Sequence, residues 1–387
     1  MTRAKDISRL ITDADFAGTL TVGDLTASSL NGGQFGGRRN IVINGAMKVA
    51  QRSVSVAGLG ATSGYYTLDR NRLIFSGTAG RLTMTQTAIT DLPGFANCLK
   101  LDCTTADTSI AAGEILILAQ NFEGQDLQQF KKGTSDAEKI TVSFYIKGNA
   151  NATYTCELYD NDNSRSIAQE FSVTSSWSRV VLTFNNETSN ALDDDTASSL
   201  SLHFWLHGGS TFAGGTFASN TWHATNANRA SDSQTSFFDS DARTFFITGV
   251  QMEVGSVATP FEHRSFGEEL ALCQRYFHFS GFPKIIPGQD QDDGSLTDYE
   301  GQVFSWTLGD NRHATSYSFP TTMRSNPAII MYGPADGTSA RSATYNSATQ
   351  ETVSAYYNES TNGLHGYFQG SSNSTGQRFF LGADCEL

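Results

Sequence analysis

The run Ile140-Thr-Val-Ser-Phe-Tyr-Ile-Lys147 alternates large apolar side chains with polar or amphipathic ones. In an extended chain successive side chains point to opposite faces, so Ile140, Val142, Phe144 and Ile146 share one face. Thr141, Ser143, Tyr145 and Lys147 share the other. That pattern predicts a strand in a sheet packed on one side and wetter on the other, the arrangement of an antiparallel sandwich. Outward from it, comparable runs separated by Gly, Asn, Asp and Ser recur at residues 40–46, 71–76, 81–87, 97–103, 115–120, 153–159, 180–184, 201–206 and 245–250. Their spacing and turn chemistry make residues 38–264 an all-β sandwich.

Beyond the sandwich the pattern changes period. Ser265 and Glu268 stand in capping-box spacing ahead of Phe266, Leu270, Cys273 and Phe277, which predicts one short linking α-helix over residues 265–278. Its apolar residues are expected inward, with Glu268, Glu269 and Gln274 on the other surface. Residues 279–387 open with an acidic loop at 288–294 and return to strands at 302–308, 314–319, 328–332, 353–357, 363–368 and 378–383, a smaller second β domain. At the other end, residues 1–37 carry Ile7, Leu10 and Ile11 at helical spacing, then a loosely alternating stretch and the flexible Asn31-Gly-Gly-Gln-Phe-Gly-Gly37. Such a segment is too short to bury its own apolar groups, so it either docks on other chains or on its own copies or is a frayed terminus.

Composition narrows the function. Hydrophobic residues at 39% and charged residues at 17%, with 36 Gly and 7 Pro, describe a folded chain rather than a disordered or collagen-like one. The net charge of −13 repels phosphate backbones and anionic lipid heads, so neither nucleic acid nor membrane insertion is expected. No apolar run approaches the ~18 residues of a membrane span. The first 20 residues carry charges throughout and no continuous apolar centre, unlike a secretory signal, so synthesis in a cytosol is expected. Five cysteines in no disulfide or zinc spacing read as reduced packing thiols, with Cys98 and Cys103 on opposite faces of one strand.

Candidate chemistry is sparse. Among the histidines only His203 and His207 come close to a metal pair, and the strand between them favours ordinary wet-face residues. The acid clusters Asp160-Asn-Asp-Asn163, Asp193-Asp-Asp195 and Asp290-Gln-Asp-Asp293 offer oxygen ligands for Ca²⁺, with Asp160, Asp162, Asp193 and Asp195 the candidate metal residues. Solvated turns are the favoured reading, since Asp and Asn bond the backbone there without any ligand. Tyr65, Tyr66, Tyr159, Trp177 and Trp222 lie in or beside polar turns and are the candidate carbohydrate-binding residues, since sugar rings stack on flat aromatic faces.

Three stretches carry a resemblance: Gly37-Arg-Arg-Asn-Ile-Val-Ile-Asn-Gly-Ala-Met-Lys-Val-Ala-Gln-Arg52, Thr248-Gly-Val-Gln-Met-Glu-Val-Gly-Ser-Val-Ala-Thr-Pro-Phe-Glu-His-Arg264 and Ser265-Phe-Gly-Glu-Glu-Leu-Ala-Leu-Cys-Gln-Arg-Tyr-Phe277. They resemble bacteriophage tail fibre or receptor-binding proteins, especially those common among marine phages. The resemblance implies a virion protein with a jelly-roll sandwich like that of carbohydrate-binding modules, assembled as a homotrimer and touching the host surface. It brings no catalytic residues. The expected role is non-catalytic attachment to host surface polysaccharide, with residues 1–37 docking on other phage tail or adaptor proteins. Two alternatives stand beside it, a glycan depolymerase using an acidic loop and a purely structural capsid fibre or connector without a receptor.

Overall fold

The computed structural model describes residues 38–283, 302–309, 312–332, 341–344, 350–352, 354–369 and 376–387. The expected docking segment 1–37 and the acidic loop 288–294 lie outside the described residues. In chain order the sandwich strands are β1 (Ser55–Leu59), β2 (Gly64–Tyr65), β3 (Arg72–Ser76), β4 (Arg81–Ala88), β5 (Asn97–Thr105), β6 (Ile115–Glu123), β7 (Ile140–Gly148), β8 (Ala152–Asp160), β9 (Arg165–Val173), β10 (Ser178–Phe184), β11 (Ser198–Gly208) and β12 (Thr244–Val254). They form two six-stranded sheets, a first ordered β1-β4-β5-β12-β7-β10 and a second ordered β2-β3-β6-β11-β8-β9. The sandwich expected from alternation is therefore present, in the jelly-roll form that the resemblance implies.

The inner faces meet in one core. Val142, Phe144 and Ile146 of β7 are fully buried, and Phe144 meets Phe171 and Phe204 edge-on at 5.0 Å between ring centroids. Cys103 joins this core while Cys98 is buried outside it, as their odd spacing requires, and all five cysteines are free.

Residues 40–46, expected as a strand, are instead an extended entry and a turn. Asn44 and Met47 adopt left-handed φ of 60° and 56°. Asn44 tolerates that region because its side chain replaces the missing ladder. Its Oδ1 accepts from the amides of Lys48 and Val49 at 2.9 and 3.0 Å, and its Nδ2 donates to the carbonyls of Val49 and Asp69 at 2.8 and 3.0 Å.

The helix α1 (Phe266–Gln274) starts at Ser265 with the full capping box, but its last expected residues leave to form β13 (Phe277–Phe279). Two of its faces differ from expectation. Phe266 is 45% exposed, and Glu269, expected outside, is 3% exposed. Glu269 turns inward because it accepts from the Asn44 amide at 2.6 Å and from Arg264 at 3.2 Å. Nearby, Glu262 accepts from the backbone amides of Arg39 and Asn40 at 2.9 and 2.6 Å, and Arg264 donates to the carbonyls of Asn40 and Val42. The recognisable motifs are thus the two halves of one clasp between chain entry and helix.

The smaller C-terminal β unit contains β14 (Val303–Gly309), β15 (Arg312–Ser318), β16 (Ala328–Tyr332), β17 (Arg341–Thr344), β18 (Gln350–Thr352), β19 (Ser354–Ser360), β20 (Gly363–Gln369) and β21 (Gly376–Asp384). Among described residues, β21 is its hub, pairing β13, β14, β16 and β17. Charged side chains bind the unit to the sandwich. Arg70 pairs with Glu386 and lies 3.4 Å over the Tyr276 ring, and Arg52 reaches Asp384 at 2.9 Å while lying 3.6 Å over Phe277. Arg275 forms a two-point pair with Glu123 at 2.8 and 2.6 Å. The backbone oxygen of Leu387 then accepts from Tyr65 and Asn121, both at 2.9 Å.

Candidate functional site

Strand register fixes what each sheet presents outward. Across the second sheet one row reads Tyr65, Arg72, Ala119, His203, Glu157 and Ala168. The neighbouring rows are Asn121, Ser201, Tyr159 and Ser166 on one side, and Ile74, Ile117, Trp205, Thr155 and Glu170 on the other. Most of this outward face is covered. An excursion between β11 and β12 lays Phe212, Ala213 and Ala230 against Ile74, Ile117 and Trp205.

A buried carboxylate fastens that cover. Glu157 is fully buried and accepts from His203 Nδ1 at 2.9 Å, Trp205 Nε1 at 2.7 Å, and Arg229 Nε and Nη2 at 2.7 and 2.9 Å. Burial alone would raise its pKa, but Arg229 and His203 hold it down to about 2. The Arg229 guanidinium lies 4.0 Å over the Tyr159 ring and 5.1 Å over Trp205, so an exposed-looking sequence position is half-buried in a stack. His203 and His207 are both buried rather than wet-face residues, because each has an acid beside it: Glu157 for His203 and Glu114 for His207 at 3.1 Å.

Of the four expected cation carboxylates, Asp160, Asp162 and Asp195 bond protein groups, and Asp193 is exposed. Asp160 is fully buried with the Lys132 ammonium at 2.5 Å, and Lys132 also reaches Glu187 at 2.9 Å. Asp162 accepts from the Asp193 amide and Asp195 from the Ala197 amide, both at 2.9 Å. Among the described residues no three His, Cys, Asp or Glu side chains gather as a metal site.

The five aromatic candidates do not converge on one patch. Tyr159 and Trp222 flank one edge of the second sheet, joined through Ser166, which pairs with Tyr159 in the ladder and bridges to His223. Trp222 donates to the Asn185 carbonyl at 2.9 Å and packs on the core, with Lys132 4.8 Å over its ring. Tyr65 holds Leu387, and Tyr66 donates to the Thr62 carbonyl.

Trp177 lies across the molecule, on the first sheet. There one outward row reads Thr85, Lys100, Phe246 and Lys147, beside Thr83, Asp102 and Thr244 on one side and Tyr145 and Arg179 on the other. Trp177, Phe246 and Tyr145 are each half-buried; Phe95 of the loop after β4 packs on Tyr145 at 5.2 Å and is backed by Phe261 at 5.1 Å. The Trp177 and Phe246 rings meet at 72° and 6.4 Å, and the Lys147 ammonium stands 4.9 and 5.0 Å from them. Both lysines are neutralised locally, Lys147 by Asp91 at 2.5 Å and Lys100 by Asp102 at 2.8 Å. The Asp91 carboxyl is held below its usual range by the Lys147 bond. Phe246, Tyr145 and the lysines were missed among the sequence candidates. Phe245 is the buried one of its Phe pair, so alternation alone turns Phe246 outward.

No family model matches the chain, and no curated protein matches it. Similar solved structures superpose loosely. A family 4 carbohydrate-binding module has 11% identity and a TM-score of 0.28, covering 55% of this chain and 97% of its own. The family 11 carbohydrate-binding module of a cellulosomal cellulase of Clostridium thermocellum has 13% identity and a TM-score of 0.26, covering 53% and 100%. The enzymatically active domain of tailspike protein 4 of bacteriophage CBA120 has 11% identity and a TM-score of 0.28, covering 56% of this chain but 21% of that one.

Proposed function

We propose that this protein is a non-catalytic virion attachment protein of the tail-fibre type, which binds host surface polysaccharide through the outward face of the first sheet. The observation that carries the reading is that face itself: the half-buried rings of Trp177 and Phe246 stand together among threonines and locally paired charges, with Tyr145 beside them under Phe95. Flat rings offer their faces to the C–H side of a sugar, and the threonine hydroxyls and paired charges beside them exchange hydrogen bonds with its hydroxyls. The resemblance of the clasp motifs to phage tail fibre proteins supports the virion setting. A homotrimer, held to tail or adaptor proteins by residues 1–37, raises weak single sites to firm attachment, because linked sites gain ~10² or more in avidity.

The test is binding of fluorescently labelled, size-characterised protein to host cells, with and without competing surface polysaccharide. Saturable binding that free polysaccharide displaces, and that Phe246→Ala with Trp177→Ala abolishes, is the expected result. A well-folded protein that does not bind host cells ends the attachment reading and leaves the structural connector. Light scattering is expected to give three times the mass of one chain.

A further inference from the structure

At one end of the sandwich a lysine and two carboxylates come together out of solvent. Lys132 lies in the connection from β6 to β7, Asp160 ends β8, and Glu187 lies in the connection from β10 to β11. Their side chains are no more than 5% exposed. Lys132 stands between two left-handed residues, Lys131 at φ 49° and Gly133 at φ 85°. A Cβ on Gly133 would run into the Ala191 backbone, so the turn presses onto the connection that carries Glu187. The Lys132 Nζ is 2.5 Å from Asp160 Oδ2 and 2.9 Å from Glu187 Oε2, donates to the Asn190 carbonyl at 2.6 Å, and lies 4.8 Å from the Trp222 ring. Glu187 Oε1 is held by Arg165 Nε at 2.8 Å and Asn190 Nδ2 at 2.9 Å, while Oε2 is buried and takes no hydrogen bond among the described residues. On the other carboxylate, Asp160 Oδ1 accepts from the Asn163 amide at 2.9 Å and side chain at 3.2 Å, and Oδ2 from that side chain at 3.0 Å.

An amine held against a carboxyl group in a dry site meets the conditions for condensation. We propose that Lys132 and Asp160 join through an intramolecular isopeptide bond, with Glu187 as the proton carrier. One proton passes from Nζ to Oδ2 along their contact, leaving a free amine beside a carboxylic acid. The amine attacks Cγ, which is no more than one C–O bond beyond that contact and so close to the ~3–3.5 Å separation of a near-attack arrangement. Negative charge develops on Oδ1, where the Asn163 amide and side chain already donate. Glu187 Oε2 takes a second proton from Nζ and hands it to the departing oxygen. The Nζ–Cγ bond forms and the Cγ–Oδ2 bond breaks. Oδ2 leaves as water with two of the three ammonium hydrogens, and Glu187 ends as the carboxylate it began as. The product leaves no buried group stranded: the amide N–H keeps the Asn190 carbonyl, Oδ1 keeps Asn163, and Glu187 keeps Arg165. It also replaces a buried ion pair, whose desolvation is costly, by a neutral amide. The bond ties the connection entering β7, of the first sheet, to the end of β8, of the second, so the sandwich is stapled at this end.

The experiment is intact-mass spectrometry of the denatured full chain, after incubation of the folded protein at neutral pH until its mass is constant, followed by tryptic mapping. We expect a mass one water below that of the sequence, and a branched peptide in which the segment containing Lys132 is joined to the segment containing Asp160, with no cleavage after Lys132. Lys132→Arg keeps the charge but cannot form the amide, and Glu187→Gln keeps both reacting groups but cannot carry the proton. Each is expected at the full mass of its own sequence, with thermal melts showing that it folds. The wild-type measurement stands without either variant. Wild-type protein at the full sequence mass overturns the bond. A missing water confined to one linear peptide, as a succinimide at Asp160 would give, overturns it equally. A branched peptide that forms as fully in Glu187→Gln as in wild type overturns the role of Glu187.

Discussion

The outward faces of the two sheets differ more than their inner ones. The second sheet carries a fully buried carboxylate, Glu157, whose oxygens take four donors, two of them from Arg229 in the excursion that covers it. On the first sheet Lys100 and Lys147 are each paired by a carboxylate at the surface, while the fully buried Glu253 at the far end of β12 is held by the amide and hydroxyl of Thr259 in the segment that follows the strand. A charge placed beneath an apolar patch therefore commits a sheet face to being covered, because leaving it unpaired in a dry site costs more than ordering the segment that pairs it. The Phe246 end of the first sheet carries no such charge, its two lysines being paired at the surface.

The sharpest way to break this contrast is Glu157→Ala, which strands Arg229, His203 and Trp205 together. We expect a loss of ~3–5 kcal/mol in denaturant unfolding and faster proteolysis within residues 209–236, with the first sheet unaffected. Acidification should loosen the C-terminal unit next. Burial lowers the pKa of His278 to about 4, from about 6.5 when unfolded, so its neutral form is favoured in the fold. Its contribution is complete above the unfolded value and falls away as pH drops through about 4, worth up to ~3 kcal/mol. Asp69, raised to about 6 mainly by burial, acts with the opposite sign as pH rises, so the slope is read as wild type minus His278→Gln.

A smaller effect sharpens the comparison from the open side. Gly249 sits in a β12 bulge at φ of 62°, and an added Cβ would stand 2.7 and 2.8 Å from Phe95 and Tyr145. Gly249→Ala should therefore cost ~1–3 kcal/mol in thermal or urea melts, and a neutral result would mean the face is looser than its rings indicate. Smallest in stability is Phe246→Ala, expected within ~1 kcal/mol of wild type because the ring is half exposed, yet expected to abolish glycan binding.

Alternation made the sandwich legible, and the capping box made the helix start legible, because both depend on local spacing. Strand β9 escaped notice because Arg165, Gln169 and Glu170 interrupt its apolar positions, although Ile167, Phe171 and Val173 do reach the core. The turn at Asn44 imitated a strand because Ile41, Val42 and Ile43 are apolar for reasons of the clasp, not of a ladder. Glu157 and Arg229 could not be paired by reading, since they are 72 residues apart and meet only through the excursion. The five aromatic candidates were chosen by polar neighbours in sequence. Tyr65 and Tyr159 proved to have neighbours in space that consume them, whereas Phe246, with an apolar sequence neighbour, faces outward.

The C-terminal unit leaves and rejoins the sandwich at the same place. β13 enters it and β21 exits it, and the two are hydrogen-bonded antiparallel neighbours from Phe277 opposite Asp384 to Phe279 opposite Gly382. Ends held side by side at about 5 Å are what a replaceable cassette requires. The chain between them can be exchanged for another module whose termini are adjacent, while the jelly roll, the clasp and the docked Leu387 keep their places. Residues 280–381 mark the stretch such an exchange would replace, and the outward faces of both sandwich sheets lie outside it.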